Sequence, residues 1–246
     1  MQTVILAGGL GTRLGALTRK IPKPMLPVAG MPYLEHQLRL LAGQSLRDVL
    51  LLTGYLGGQI ESYFGAGSRL GLRIRYSREF HPLGTGGALR EARPKLAETF
   101  LLLYGDSLLP IEYAAVGRRL KDSAALGAIV VYRDPSGETS VHPNVALDRS
   151  GLVARYDKTA SDLTLEYVEA GASCFRREVL DLLPATGPAS FEQCAFSALI
   201  ARRRLAALPT AQRFYDIGTP ERLRTIEDYL RVPDRKDAPD AQLHCR

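Results

Sequence analysis

The sequence contains little of what builds metal clusters, disulfide frameworks or membrane spans. It has no tryptophan, and its three cysteines are scattered through 246 residues: Cys174, Cys194 and Cys245. An odd number of thiols without ligand spacing indicates neither a disulfide framework nor a zinc site. No segment approaches the ~20 consecutive apolar residues of a membrane helix. Met1-Gln2-Thr3 leads directly into an apolar segment with no basic leader, so we expect a cytoplasmic protein without a membrane partner.

Histidine and lysine are also scarce. The four histidines share no spacing, and no Ser/His or Cys/His constellation for nucleophilic catalysis is visible. Only six of the 32 basic residues are lysine, and the net charge of +6 comes from arginines spread along the chain. This charge suits anionic substrates. Nucleic acid is not an expected partner, because no aromatic-and-basic surface or recognition motif accompanies the charge.

Apolar runs and amphipathic segments alternate through the first half of the chain. The predicted strands are Thr3–Leu6, Asp48–Thr53, Leu72–Tyr76, Phe100–Tyr104 and Ala128–Tyr132. The predicted helices between them are Pro32–Gly43, Gly58–Phe64, Thr85–Leu96 and Ala114–Lys121. Strands that alternate with helices form βαβ units. We therefore predict an α/β fold, with a Rossmann-like, mostly parallel sheet and helices on both of its faces.

From about Arg133 onward, shorter strand candidates follow one another without long helices, which predicts a small antiparallel insertion. These candidates are Val145–Leu147, Leu152–Tyr156 and Glu166–Phe175. The α/β pattern returns with a helix at Phe191–Arg204 and a strand that ends at Asp216. A last helix is predicted with Thr219 as its N-cap and Pro220 at its first position, where no backbone N–H is needed.

A glycine-rich turn, Gly8-Gly9-Leu10-Gly11-Thr12-Arg13-Leu14, follows the first strand. Glycines allow a tight turn and place bare N–H groups against an anion. A Walker A loop would continue with Gly-Lys-Ser/Thr, whereas Gly11 is followed by Thr12-Arg13. A dinucleotide-binding fingerprint would have a small residue in place of Leu14 and an acidic residue about 20 positions later, and both are missing. Two interpretations stay open for the segment alone: a structural turn, and a nucleotidyltransferase loop in which Arg13 grips phosphates.

Lys23 stands between two prolines in the run Ile21-Pro22-Lys23-Pro24-Met25-Leu26-Pro27-Val28. The prolines exclude a regular helix and hold the side chain on a stiff, extended backbone. Taken alone, Lys23 also fits a solvated surface charge. Together with the glycine-rich turn, the run GGLGTRL…PKPMLPVAGMP resembles the signature of the sugar-1-phosphate nucleotidyltransferases, the family of nucleotide-sugar pyrophosphorylases. The resemblance implies that Arg13 binds the β- and γ-phosphates of a nucleoside triphosphate and that Lys23 binds the reacting phosphates.

The resemblance continues along the chain and implies further nucleotide and metal ligands. The run Pro82-Leu83-Gly84-Thr85-Gly86-Gly87-Ala88 is similar to the family segment that lies against the base. By resemblance, Asp106 and Asp216 are the pair that holds Mg²⁺, an ion that binds one or two carboxylates together with substrate phosphates and water. By themselves, Thr85 and Asp106 also suit helix caps. The implied nucleotide-binding residues are Leu6, Ala7, Gly8, Gly9, Gly11, Thr12, Arg13, Thr85 and Gly86.

The segment between the two aspartates carries the implied sugar-binding residues. Asp157-Lys158 resembles the acidic residue and lysine that grip the sugar phosphate, although the family's Glu-Lys-Pro is Asp-Lys-Thr here. This departure weakens the assignment of Asp157 more than that of Lys158. Glu169-Ala170-Gly171 is similar to the next strand of the sugar pocket, and Asn144 stands close to a sugar-facing position. Glu169 and Asn144 fit ordinary surface strand positions equally well.

These assignments divide the chain into two functional parts within one predicted domain over residues 1–232. The nucleotide-binding part spans about 1–132, and the antiparallel sugar-binding part spans about 133–218. The last residues, 233–246, are polar and contain proline, which predicts a disordered tail. The oligomeric state is not predicted from the sequence.

The reaction that the resemblance implies is in-line attack of a sugar-phosphate oxygen on the α-phosphorus of the triphosphate, with release of pyrophosphate. Catalysis of this kind is positioning and charge neutralisation, so it needs no nucleophilic side chain. The implied catalytic residues are Arg13, Lys23, Asp106 and Lys158. A glycosyltransferase is disfavoured, because Asp106 is followed by Ser107-Leu108 rather than completing an Asp-x-Asp pair. A catalytically silent homologue stays open.

The expected partners are small molecules, a nucleoside triphosphate and a sugar 1-phosphate. The chain looks most like the compact bacterial branch of the family, which includes guanylyltransferases of manno-heptose 1-phosphate and uridylyltransferases of N-acetylmuramate 1-phosphate. We expect GTP with a heptose- or mannose-type 1-phosphate. UTP with an N-acetylmuramate-type 1-phosphate is the alternative.

Overall fold

A seven-stranded sheet forms the centre of the molecule in a computed structural model that describes residues 1–159 and 164–231. Within those residues the strands are β1 (Gln2–Ala7), β2 (Pro27–Val28), β3 (Met31–Pro32), β4 (Asp48–Thr53), β5 (Arg73–Arg78), β6 (Thr99–Tyr104), β7 (Ser107–Leu108), β8 (Gly127–Tyr132), β9 (Val145–Leu147), β10 (Val153–Tyr156), β11 (Val168–Arg176), β12 (Leu205–Thr210) and β13 (Tyr215–Asp216). The α-helices are α1 (Tyr33–Gly43), α2 (Gly57–Phe64), α3 (Gly84–Glu91), α4 (Tyr113–Lys121), α5 (Ser197–Ala201) and α6 (Pro220–Arg231).

The strand order in the sheet is β12-β8-β11-β6-β1-β4-β5. Strands β6, β1, β4 and β5 run parallel to one another, and β12 runs parallel to β8. Only β11 is antiparallel to both of its neighbours, β6 and β8. The prediction of a mostly parallel α/β sheet is therefore confirmed.

Both faces of the sheet are covered, because successive side chains of a strand point to opposite faces. In β1, Ile5 belongs to a core with the apolar stripe of α1 and with α2 and α4, whereas Val4 belongs to a core with α3 and α5. Strands that are buried on both faces appear in the sequence as continuous apolar runs rather than as alternating patterns. This explains why β1, β4, β6 and β8 were all predicted from the sequence, with bounds within two residues of those observed.

Two elements of the second half differ from the sequence prediction. The strand predicted at Glu166–Phe175 was assigned to the antiparallel insertion, but as β11 it lies in the middle of the main sheet between β6 and β8. Strand β12 was not predicted, because its alanines favour a helix and Pro209 interrupts the run. Proline is tolerated there because β12 is an edge strand.

Two predicted helices are shorter than expected. The helix predicted at Thr85–Leu96 ends at Glu91 and is followed by a separate 3₁₀ turn that contains Pro94. The helix predicted at Phe191–Arg204 consists of a π-helical turn, Glu192–Phe196, followed by α5, which ends at Ala201. Arg203 then adopts a left-handed conformation with φ 53°, which reverses the chain into β12.

The remaining short strands form separate two-stranded pairs, and the chain that the structure describes ends in helix α6. Strands β9 and β10 form an antiparallel pair, as predicted for the insertion, and β7 pairs with β13. Thr219 caps α6 as predicted, since its hydroxyl accepts a hydrogen bond from the N–H of Arg222 at 3.3 Å. The predicted tail, 233–246, lies outside the described residues. Each helix within residues 1–159 and 164–231 is too short or too polar to span a lipid bilayer.

Candidate active site

A cavity of about 710 Å³ opens at the carboxyl ends of β1, β4, β5 and β6. Ligands of parallel α/β sheets bind at this edge, and the volume is within the usual range for small-molecule sites. The cavity is lined by most of the predicted nucleotide-binding residues and by the segment that follows β5. The predicted residues among them are Leu6, Ala7, Gly8, Gly9, Gly11, Thr12, Lys23, Thr85 and Asp106.

The glycine-rich turn is packed directly against Lys23. Gly11 has φ 66° and ψ 27°, and a Cβ at this position would lie 2.9 Å from Cγ2 of Thr18 and 3.2 Å from Cβ of Lys23. The Thr18 hydroxyl donates a hydrogen bond to the carbonyl of Gly11 at 3.0 Å. Glycine is required here for two reasons: the left-handed backbone, and the lack of room for a side chain.

Lys23 forms a salt bridge with Asp106, in which Nζ lies 2.5 Å from Oδ2. The lysine side chain is only 10% exposed, and it lies in a short 3₁₀ turn between Pro22 and Leu26. Asp106 follows β6 and keeps a third of its side-chain surface exposed to the cavity side. The structure therefore places the predicted phosphate-binding lysine against one of the two predicted metal ligands.

Asp216 reaches the same edge of the sheet through the pairing of β13 with β7. It lies opposite Ser107 in this pair, and the next N–H, of Ile217, donates to the carbonyl of Asp106 at 3.1 Å. Its carboxylate accepts hydrogen bonds from the N–H of Gly218 at 2.7 Å and from Arg222 at 3.2 Å. Asp216 thus lies in β13, and Asp106, distant in sequence, directly precedes β7, the strand with which β13 pairs.

Arg13 lies on the Asp216 side of the site. Its Nη1 is 3.6 Å from the position that a Cβ on Gly218 would occupy, and the side chain is exposed. Arg13 is not among the residues that line the cavity. The predicted phosphate ligand is therefore near the metal-ligand pair, but in this conformation it flanks the cavity rather than lining it.

The Asp106–Asp216 pair fits Mg²⁺ of the substrate-bridged kind. Both residues offer hard carboxylate oxygens. Both also interact electrostatically with the buried phenol of Tyr33, whose pKa is raised by burial first and then by the charges of Asp106 and Asp216. Within residues 1–159 and 164–231, no group of three or more His, Cys, Asp or Glu side chains is arranged around a metal position. The remaining ligands would have to be phosphate oxygens and water, which is the coordination that Mg²⁺ prefers.

A second cavity, of about 500 Å³, adjoins the first. The two share Gly84, Thr85 and Tyr104 in their linings, and the second adds Lys158 and Glu192. The Lys158 ammonium lies 5.9 Å from the ring centroid of Tyr104 and 5.7 Å from that of Tyr156. Two aromatic faces at this distance attract a cation. Lys158, the residue predicted to bind the sugar phosphate, therefore lines a second cavity that adjoins the predicted nucleotide site.

Two carboxylates interact electrostatically with Lys158. Burial raises the pKa of Glu169. The charge of Lys158 acts to lower this pKa, and the Glu192 carboxylate acts to raise it further. Burial also acts to raise the pKa of Glu192, but Lys158 and hydrogen bonds from Tyr104 and Ser190 outweigh burial and leave the pKa below its usual value. The second cavity thus combines one cation with several acceptor oxygens, a set that suits a phosphate attached to a polyhydroxylated molecule.

The other predicted sugar-binding residues, Asn144, Asp157, Glu169 and Gly171, are not among the residues that line this cavity. Asn144 is buried, and its side-chain oxygen accepts the N–H of Glu169 at 2.9 Å. The Asp157 carboxylate accepts hydrogen bonds from the N–H and hydroxyl of Thr159. Gly171 has φ 80°, and a Cβ on it would lie 2.9 Å from Cβ of Ser107. The contacts of Asn144, Asp157 and Gly171 are therefore with other protein groups.

Gly86, a predicted nucleotide-binding residue, likewise faces the protein. Its N–H donates to the carbonyl of Ala189 at 2.8 Å, and a Cβ on Gly86 would lie 3.1 Å from that oxygen. The small residue is needed for close packing of α3 against the segment before the π turn. Within this motif, Thr85 lines the cavity and Gly86 supports it.

Sequence reasoning missed three residues that the structure places in the site. Glu79 lines the first cavity, Glu192 lines the second, and Tyr104 lines both. Tyr104 was read as the last residue of an apolar strand, and Glu192 stands two residues after a serine, where it has the pattern of an ordinary helix start. Glu79 follows a strand end, as Asp106 does, and that position was the available signal.

Comparisons with known proteins identify the family of the chain. A family model described as nucleotidyl transferase matches residues 2–231. The mannose-1-phosphate guanylyltransferase of Mycobacterium tuberculosis is 35% identical over 90% of this chain, which spans 62% of that relative's length. The D-glycero-alpha-D-manno-heptose 1-phosphate guanylyltransferase of Campylobacter jejuni is 30% identical over 90% of this chain and 96% of its own. Among solved structures, HddC from Yersinia pseudotuberculosis complexed with GMP-PN has a TM-score of 0.79 at 23% identity, covering 93% of this chain and 99% of that one.

Proposed function

The chain belongs to the nucleotidyl transferase family, and we propose that it transfers a nucleotidyl group from GTP to a mannose- or heptose-type sugar 1-phosphate, releasing pyrophosphate. The observation that carries the reaction type is the placement of the Lys23–Asp106 pair in the first cavity and of Lys158 in the second. The two cavities adjoin and share Gly84, Thr85 and Tyr104 in their linings. A triphosphate in the first cavity and a sugar phosphate in the second would come together where the two cavities adjoin, beside Thr85 and Tyr104. The activities of the two guanylyltransferase relatives, one for mannose 1-phosphate and one for a manno-heptose 1-phosphate, support the choice of substrates.

The chemistry needs positioning and charge neutralisation. An oxygen of the sugar phosphate attacks the α-phosphorus, the bond from that phosphorus to the bridging oxygen breaks, and pyrophosphate leaves. Lys158 would orient the attacking phosphate, and Lys23 would balance the charge that develops on the α-phosphate. Arg13 would stabilise the leaving pyrophosphate. Mg²⁺ held by Asp106 and Asp216 would supply further positive charge to the phosphates.

Glu79 favours guanine as the base. Its Oε2 accepts the N–H of Leu83 at 3.2 Å, while Oε1 lies against the backbone of Gly8 and Gly54, 3.1 and 2.8 Å from where their Cβ atoms would be. Burial raises the pKa of Glu79, and no salt bridge to it forms among the described residues. A half-buried carboxylate without a salt-bridge partner repels phosphate, so it suits the base end of the cavity.

The base edges differ in how well they match a carboxylate. Guanine presents two adjacent donors, N1–H and the N2 amino group, and both can donate to carboxylate oxygens. Uracil presents one N–H flanked by two carbonyl oxygens, which a carboxylate repels. Adenine and cytosine each place a ring acceptor beside their amino group. The acceptor-only Glu79 therefore supports GTP over UTP, the alternative from the sequence.

The test is a panel of the four common nucleoside triphosphates against several sugar 1-phosphates, read as pyrophosphate release. We expect GTP with mannose 1-phosphate or a manno-heptose 1-phosphate to give the highest kcat/KM. Preference for UTP would overturn the base assignment while leaving the reaction type intact. No release with any pair would contradict the reaction and favour a silent homologue.

Glu79→Gln tests the base assignment separately. The amide keeps one acceptor for Leu83 but loses the charge, so KM for GTP should rise about 10- to 100-fold, the worth of a hydrogen bond to a charged group. Inosine triphosphate lacks the N2 amino group, so the preference for GTP over it should shrink in the variant. Glu98→Gln, at a side chain that is 92% exposed, is the matched control and should change neither value. An unchanged preference in Glu79→Gln would contradict the assignment.

A further inference from the structure

Glu192 is a buried carboxylate that is bound by three hydroxyl groups. It is 7% exposed, and it accepts hydrogen bonds from Thr85 at 2.9 Å, from Ser190 at 2.8 Å and from the phenol of Tyr104. Thr85 belongs to the first turn of α3, and Tyr104 is the last residue of β6. The carboxylate therefore ties together an element of the glycine-rich Thr85 segment and the strand that ends beside Asp106.

The backbone around Glu192 strengthens this connection. Glu192 begins a π-helical turn, a rare conformation that is frequent at functional sites. The N–H of Phe191 donates to the Thr85 hydroxyl oxygen at 2.8 Å, which leaves that hydroxyl's proton for Glu192. The N–H of Gly86 donates to Ala189 at 2.8 Å. The first turn of α3 and the segment 189–192 thus form one hydrogen-bonded unit.

A purely structural carboxylate in this chain is held differently. Glu35, 2% exposed at its side chain, is bound by the guanidinium groups of Arg39 and Arg69 at 2.6 and 3.0 Å. Among the described residues no lysine or arginine forms a salt bridge with Glu192, whose electrostatic partner is Lys158 at longer range. Burying a charge costs free energy unless an opposite charge nearby offsets the lost solvation. Lys158, over the rings of Tyr104 and Tyr156, supplies that opposite charge.

Glu192 lies close to the boundary between the two cavities, since two of its hydrogen-bond donors line both of them. Thr85 and Tyr104, two of its donors, line both cavities, whereas Glu192 and Lys158 line only the second. We propose that Glu192 is a positioning residue. It holds Thr85 and Tyr104, which line both substrate cavities, and it orients the Lys158 ammonium towards the phosphate of the sugar 1-phosphate. Glu192 does not touch the reacting atoms. This inference rests on the proposed function, since it assigns the second cavity to the sugar phosphate.

Glu192→Gln removes the charge and keeps the size of the side chain. Binding of mannose 1-phosphate, measured by calorimetry on the full chain, should weaken about 10- to 100-fold, the worth of an interaction with a charged group. Binding of GTP should change less than about threefold, because Glu192 does not line the first cavity. In a steady-state assay of pyrophosphate release, the KM for the sugar 1-phosphate should rise while the KM for GTP should remain unchanged. Glu178→Gln, at an exposed side chain, is the matched control.

A double-mutant cycle tests whether Thr85 and Glu192 act as one unit. Thr85→Ala should also weaken mannose 1-phosphate binding, and adding it to Glu192→Gln should cost less than the product of the single effects. Thr85→Ser, which keeps the hydroxyl, should recover most of the loss. If Glu192→Gln does not fold, the comparison of Thr85→Ala with Thr85→Ser decides, and equal binding by the two overturns the proposal.

The outcomes separate this inference from the proposed function. Unchanged sugar 1-phosphate binding in a folded Glu192→Gln protein, or multiplicative effects in the cycle, would overturn the role of Glu192 even if pyrophosphate is released. A protein that binds mannose 1-phosphate through Glu192 without releasing pyrophosphate from any triphosphate would support the role of Glu192 and contradict the proposed reaction.

Discussion

Gly11→Ala is expected to disturb both the stability and the turnover of the protein, because the added methyl group would push on Lys23. The position combines φ 66° and ψ 27° with contacts of 2.9 Å to Thr18 Cγ2 and 3.2 Å to Lys23 Cβ. Real Cβ atoms do not approach carbon at the first of these distances, so the turn, Thr18 or Lys23 has to move. Lys23 is held by Asp106 on its other side, which leaves it little freedom to retreat.

The magnitude has two parts. A left-handed backbone costs an alanine about 1 kcal/mol relative to glycine, and overpacking adds about 1–3 kcal/mol. For a chain of this size each kcal/mol lowers Tm by about 2–4 °C, so a total cost of about 2–4 kcal/mol should lower Tm by roughly 4–16 °C. If Lys23 binds the reacting phosphates as proposed, a shift of its side chain by about 1 Å should reduce kcat/KM by about 10²-fold.

Gly71→Ala is the matched control, because it isolates the backbone cost. Gly71 has nearly the same conformation, φ 69° and ψ 20°, and a Cβ there meets nothing within 4 Å. We expect this variant to lose roughly 2–4 °C in Tm and no activity. Thermal denaturation by circular dichroism and a pyrophosphate-release assay on both variants give the comparison. Equal Tm and equal turnover in the two variants would refute the reasoning that the glycine-rich turn is packed on Lys23.

Two further perturbations address the metal pair and the buried carboxylate of α1. Asp216→Asn, or chelation of divalent cations in the wild type, should lower pyrophosphate release by at least about 10²-fold without lowering Tm by more than a few degrees; full activity in chelator would contradict the Mg²⁺ assignment. Glu35→Gln should destabilise the protein at pH 7, because hydrogen bonds from Arg69, Arg39 and Tyr63 hold the pKa of Glu35 at about 2, below its ordinary 4.5. A lowered folded-state pKa stabilises above pH 4.5 and loses its effect as the pH falls towards 2, so urea denaturation should separate variant from wild type at pH 7 and much less at pH 3. Equal stability at pH 7 would contradict the role of this ion-pair cluster.

The site shows how local and non-local information divide. The glycine-rich turn, Lys23 and Thr85 were predicted as ligands, and the structure places all three at one cavity. Their signals are local: glycines where the backbone turns left-handed, and prolines that restrict the lysine. Glu192 and Glu79 gave no such signal, because a single acidic residue at a helix start or strand end occurs for many reasons. Their place in the site depends on contacts with Thr85, Tyr104 and the turn itself.

The sequence by itself determined the strands buried on both faces, the alternation with helices and the glycine-rich turn, because each depends on neighbours a few residues away. The tertiary structure alone decided which strands are adjacent. It placed β11 between β6 and β8, and it used the pairing of β7 with β13 to bring Asp216 beside Asp106. Pairing between distant segments follows from how the whole set of apolar faces is buried at once, and no short stretch of sequence carries that information.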